Sequence, residues 1–161
     1  MMKMLYSKDD VQSLKKRMWI YAVVCITVVV IAVGVGVVTC FLVNDSNAKW
    51  LKIIDIVLTS LCGCVALYLL FNYVTPIRAR KNYIEKMLNS TTKTVRGRVT
   101  GKGKKITTVK YINLSELRLN DEEGKEIILY WDEDCGEQNL EGHIFEFKVV
   151  NNKIVGYGDA L

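Results

Sequence analysis

With 161 residues, 24% of them charged, a formal net charge of +5 and a mean hydropathy of +0.17, the chain averages like an ordinary globular protein. The average conceals a division: residues 1–89 carry 11 Lys and Arg against 5 Asp and Glu, whereas residues 90–161 carry 11 against 12. That length holds two membrane-length helices and one domain of roughly 70 residues, near the lower limit for independent folding, and a single histidine argues against most histidine-based catalytic and metal sites.

Residues 1–17 read as a basic, cytoplasmic flank, with Lys3, Lys8, Lys15, Lys16 and Arg17 opposed by Asp9 and Asp10. Residues 18–43 contain no charge and reach about 39 Å as a helix against a hydrocarbon core of about 30 Å, which predicts a first transmembrane helix. Its many Val and Ile residues suggest strand in water, but a lone strand in lipid leaves its backbone unpaired, so helix is expected. The run is about twice the length of a signal-peptide core and lacks a small-x-small cleavage site, so it is expected to stay as an anchor. Trp19 and Tyr21 are placed as interfacial aromatics. Ala32 and Gly36 form a small-xxx-small pair suited to close helix packing.

Residues 44–49 are a short polar loop, which makes the second apolar run, residues 50–75, an antiparallel neighbour of the first. Five basic residues precede the first span and Arg78, Arg80, Lys81 and Lys86 follow the second, while Lys49 and Lys52 lie near the loop. The positive-inside rule therefore puts both termini in the cytoplasm. Asp55, about one helical turn into the second run, reads as an interfacial acid near the positive helix end rather than an ion path. Thr59 and Gly63, with Ser60, Cys62, Cys64 and Ala66, mark a second packing face. Four of the five cysteines fall in the spans and the fifth in cytoplasm, so neither a disulfide framework nor a zinc site is expected.

After Pro76, residues 76–90 read as a basic amphipathic helix. Ile77, Ile84 and Leu88 lie on one face with Tyr83 and Met87 beside it, and proline predicts a bend near Thr75. It suits either a lever between domain and spans or an interfacial helix resting on anionic headgroups, the latter preferred.

Near residues 89–92 the hydrophobic period changes to that of strands. Strands are predicted over 94–100, 106–119 with a bulge or break near 113–116, 125–131, 144–150 and 153–157. Gly101-Lys102-Gly103 and residues 121–124 read as turns, and Asn151-Asn152 as a two-residue hairpin. His143 is expected in the turn at Gly142. The fold class is thus a two-helix transmembrane hairpin followed by a small cytoplasmic five-stranded antiparallel β-barrel over residues 91–161, OB-like or SH3-like.

The order of elements, together with the strand and glycine-turn pattern TVRGRVTG…LRLNDEEGKEIILYW…LEGHIFEFKVVNNKIVGYG, resembles small bacterial membrane proteins with two N-terminal spans and a C-terminal OB-like domain. It is also similar to the two-span β-barrel effectors of bacterial cyclic-nucleotide defence systems. These resemblances imply a bacterial inner-membrane location and, from the second, a barrel that senses a nucleotide while the spans disrupt the membrane. No binding residue is carried over from either.

Residues 93–110 hold seven basic side chains and no acid, so Arg96, Arg98, Lys102, Lys104 and Lys105 are the candidates for an anionic ligand such as a small nucleotide. The GKGKK stretch lacks the P-loop pattern and the helix that should follow it, and a solvated or lipid-facing hairpin tip is the plainer reading. Nucleic acid is not expected, because the domain is slightly acidic overall. Asp132, Asp134 and Gly136 resemble a calcium loop with glycine one position early and read as turn residues. No catalytic grouping, metal site or cofactor is expected. The reading favoured is a non-enzymatic homo-oligomeric membrane protein packed through Ala32, Gly36, Thr59 and Gly63, with a barrel for protein interaction or self-association. The alternative is a nucleotide-gated membrane effector.

Overall fold

A computed structural model describes residues 2–44, 47–109, 111–121, 123–136 and 140–159, with the backbone alone described for 104–109. The chain divides into two compact units, one of Met1–Ser13 with Ala79–Leu161 and one of Leu14–Arg78.

Helix α1 (Lys8–Leu42), which belongs to the second unit from Leu14 onward, and helix α2 (Ala48–Leu69) form the expected antiparallel hairpin. Tyr21 stacks on Tyr73 with ring centroids 5.0 Å apart, Cys25 Sγ lies 4.0 Å from the Ala66 carbonyl, and Gly36 opposes Asp55. Cys25 and Ala66 are the buried residues of the two helices. An apolar surface this exposed is what separates two helices long and apolar enough to cross a membrane from the core helices of a soluble protein.

The predicted bend at Thr75 does not occur. A π-helical segment (Leu70–Val74) joins α2 to helix α3 (Thr75–Asn89) without a break. Pro76 has no N–H, and its ring would press on the carbonyl four residues back in a regular α-helix. The wider turn relieves this: the Thr75 N–H donates to the Leu70 carbonyl, and the Thr75 hydroxyl donates to the same oxygen at 2.9 Å.

In the first unit, strands β1 (Lys3–Met4), β2 (Lys93–Val109), β3 (Ile112–Asn120), β4 (Glu126–Asp132), β5 (Ile144–Val150) and β6 (Lys153–Asp159) form one sheet. Its order is β1-β6-β4-β3-β2-β5, and pairing of β5 with β6 closes a ring. All pairings are antiparallel except a single parallel bridge between β4 and β6 at Tyr130 and Lys153. The ring encloses Val99, Leu119, Leu129, Trp131, Phe147 and Ile154. Asn151 and Asn152 both take positive φ at the β5–β6 turn, as their sequence suggests.

Further expectations are corrected here. The first residues are not merely a flank, because Lys3 and Met4 pair with Tyr157 and Gly156 and add a sixth strand. Ser7 and Asp10 then cap α1 reciprocally: the Asp10 N–H donates to Ser7 Oγ at 3.1 Å and the Ser7 N–H to Asp10 Oδ2 at 2.8 Å. Gly101-Lys102-Gly103 is not a turn but lies inside β2, at register shifts that bend this 17-residue strand so that it pairs with β5 at one end and β3 at the other. The proposed break near residues 113–116 is likewise absent, since β3 is continuous and the chain turns just before it, where Tyr111 has φ 71. Finally, on the apolar side of α3, Tyr83, Ile84 and Met87 are buried within the β unit, while Ile77 and Leu88 of the predicted stripe are half-buried.

Gly97 marks a close approach of β2 to the β3 backbone, where an added Cβ would lie 2.7 Å from the Asn120 carbonyl oxygen. Gly97→Ala therefore must displace backbone, and it is expected to destabilise the β unit by roughly 1–3 kcal/mol, read as a lower melting temperature of the full chain in mild detergent.

Candidate functional site

A polar cluster gathers around Asp132 at the end of β4, which is 1% exposed. A carboxylate so buried requires donors on both oxygens. Oδ2 accepts from the Tyr6 hydroxyl at 2.7 Å and forms an ion pair with Arg80 Nη1 at 2.6 Å. Oδ1 accepts from the Asp134 N–H at 3.1 Å and so caps the 3-10 turn Glu133–Cys135. Arg80 also reaches Asp134 at 3.2 Å. Tyr6 meets Tyr83 edge to face with ring centroids 6.0 Å apart, and Cys135 Sγ lies 3.9 Å from the Leu5 carbonyl. The segment before α1, the first turns of α3 and the end of β4 thus converge on one carboxylate.

Burial works against the Arg80 charge, but the hydrogen bond and charge of Asp132, with Asp134 behind, outweigh it and hold the guanidinium more firmly protonated than usual. Burial first, then the Asp132 charge, raises the Tyr6 phenol above its ordinary value of 10.0, and burial raises Tyr83 in the same direction. Burial followed by the Asp132 charge pushes the Cys135 thiol up to about 11. A buried carboxylate with its oxygens engaged internally, next to a thiol held protonated, is suited to fastening segments together rather than to proton transfer or nucleophilic attack. Among the described residues no group of three His, Cys, Asp or Glu side chains is placed to hold a metal.

The anion candidates lie elsewhere. Arg96 and Arg98 alternate with buried Gly97 and Val99, so both project outward from β2. They line a pocket of about 120 Å³ with Asn120, Asp121 and Ile144, below the ~300 Å³ lower end of ligand sites. Arg96 stands opposite Glu146 across the β2–β5 pairing. Lys102 lies beyond the first register shift, opposite Leu117, and does not line this pocket. The side chains of Lys104 and Lys105 lie outside the described residues.

The helix-packing candidates do come together. Ala32, Gly36, Thr59 and Gly63 line one groove of about 340 Å³ between α1 and α2, with Val29, Val33, Asp55 and Cys62. Within this groove Asp55 Oδ1 is buried without a hydrogen-bond partner and lies 3.5 Å from where a Gly36 Cβ would stand.

Tyr6, Arg80, Asp132 and Tyr83 were not singled out as a group by sequence. Tyr6 and Asp132 are 126 residues apart, and no periodic pattern links an aromatic in a basic flank to an acid in a turn. No family model matches the chain, and comparison with curated proteins and with solved structures yields no significant match.

Two measurements test this chemistry. Because the folded-state pKa of Tyr6 is raised, the stability it contributes is fully present below the unfolded value of about 10 and is lost as pH rises through the folded one. The full chain should lose stability above about pH 10. Tyr6→Phe, which removes one donor to Asp132, should be weaker at neutral pH by roughly 1–3 kcal/mol yet decline less steeply in alkali, as followed by melting temperature against pH. Cys135 should be alkylated in the folded protein roughly a hundredfold more slowly than in denaturant at mildly alkaline pH, measured on its peptide by mass spectrometry.

Proposed function

We propose that the chain is a non-enzymatic, homo-oligomeric membrane protein. Its two apolar helices cross a bacterial inner membrane as a hairpin with both termini in the cytoplasm, and its ring of strands is a cytoplasmic OB-like interaction module. The closed order of β2 to β6, with one long strand shared between two neighbours and one parallel bridge, supports the OB-like assignment over an SH3-like one.

The observation that carries the oligomeric reading is the hairpin groove. Small residues from both helices leave it open, and the unpartnered Asp55 oxygen lies within it. Where water is excluded an unsatisfied acceptor is costly, and close helix approach across small residues is the usual remedy. A helix from a second copy fits this need, because it would fill the groove and bring a hydroxyl or backbone donor to Asp55. The engagement of both Asp132 oxygens within the unit supports a structural rather than catalytic role for the β unit.

Gly63 provides the test, because nothing lies within 4 Å of an added Cβ there, so a single chain has room for a larger side chain that an inserted helix would meet. Gly63→Leu should shift the protein from oligomer toward monomer in sedimentation in mild detergent. Gly34→Leu, also unobstructed and not lining the groove, should not. A wild-type chain that is monomeric at all accessible concentrations overturns the reading. A monomer that assembles only on adding a cyclic nucleotide turns it into the alternative, a ligand-gated effector.

A further inference from the structure

We propose that the cavity between α3 and the β5–β6 hairpin is a binding site for a phosphate-bearing ligand, held by Lys86 and Lys153 over an apolar floor. The cavity has a volume of about 350 Å³ and lies wholly within the β unit, inside the ~300–1,000 Å³ range of small-molecule sites. It is independent of the hairpin groove and of the Arg96 and Arg98 pocket.

Its chemistry is one-signed. Lys86 enters from α3 and Lys153 from the start of β6, and no carboxylate lines the cavity. Glu85, the acid nearest in sequence on α3, is engaged with Lys81 at 3.4 Å. Among the described residues neither Lys86 nor Lys153 forms an ion pair. The Lys153 ammonium lies over the Tyr83 ring, 5.0 Å from its centroid, which fixes the side chain against the cavity wall. Burial first and the Lys86 charge second lower the Lys153 pKa from its ordinary value. Two cations facing one space without an acid oppose folding, and an entering dianion removes that opposition.

The remaining lining adds donors and a floor. Asn82 on α3 and Asn151 at the turn bring amides to the rim. The positive φ of Asn151 sets the turn that presents it. Buried Met87 and Ile112 supply apolar surface beneath. Charged donors above and apolar surface below select an ester that joins a phosphate to a small apolar or planar group, over bare phosphate. Such a group has two sources: a soluble phosphate ester, or the headgroup of an acidic phospholipid, which Lys86, on the helix that follows the second apolar run, would also attract.

The experiment uses the purified full chain in detergent. Phenyl phosphate should raise the melting temperature saturably and at lower concentration than inorganic phosphate, because only ligand bound to the folded state stabilises it. In parallel, native mass spectrometry counts phosphatidylglycerol retained against phosphatidylcholine. Lys86→Gln and Lys153→Gln should each weaken binding roughly tenfold, and without ligand Lys86→Gln should melt no lower than wild type, since it removes one of two facing cations. Phenyl phosphate binding weakened by both variants assigns a soluble ester. Selective phosphatidylglycerol retention lost in both variants, without phenyl phosphate binding, assigns a headgroup. Binding of neither probe, or binding that both variants leave unchanged, overturns the proposal.

Discussion

The Asp132 carboxylate sits where almost no water reaches it, and an unpaired charge in such a place would cost several kcal/mol. Its oxygens are therefore occupied, and the donors come from three separate stretches of chain: Tyr6 ahead of α1, Arg80 at the start of α3, and the backbone just after β4. Apolar contacts alone would tolerate sliding of α3 along the sheet. A charge pair with a hydrogen bond on the same oxygen does not, because a displacement of one turn would leave both partners buried and unmatched. The added strand β1 and the buried face of α3 depend on this fastening, since β1 is only two residues long and could not hold itself by backbone pairing alone.

The two units solve the problem of polar groups in opposite ways. In the β unit the buried acid Asp132 has both oxygens engaged from within. In the hairpin the buried Asp55 oxygen is not satisfied, and the surrounding residues are small enough to admit something further. Self-association is proposed at the hairpin and ligand capture at the lysine cavity for the same reason: each is a place where the isolated chain leaves charge or polarity without a counterpart. The Asp132 carboxylate, with both oxygens engaged, is for that reason the least promising place for chemistry.

Much of the architecture could be read from pattern. Phe145, Phe147 and Val149 alternate with Glu146 and Lys148 along β5, and the Asn151-Asn152 turn follows from the ease with which asparagine takes positive φ. The glycines misled because the same permissiveness that suits a turn also suits a bulge. Gly101 and Gly103 serve a strand that must coil to close a ring, and only the partners of that strand distinguish the two uses. Pro76 misled similarly, since local rules favour a bend and a π turn absorbed the proline instead. The first seventeen residues were read through their charge, which says nothing of a strand two residues long.

What the sequence determined by itself was everything set by short-range chemistry: two apolar runs of membrane length, the change from helical to strand period, the acid-free basic stretch, and the turn at the two asparagines. What only the tertiary structure decided was which groups meet. Tyr6 and Asp132 are 126 residues apart, Lys86 and Lys153 belong to a helix and a strand with no common period, and Gly36 and Asp55 face each other only once the hairpin forms. Periodicity fixes the face on which a residue lies within its own element. The residue it finds across from that face is fixed by ring closure and helix register, which depend on the packing of the whole unit.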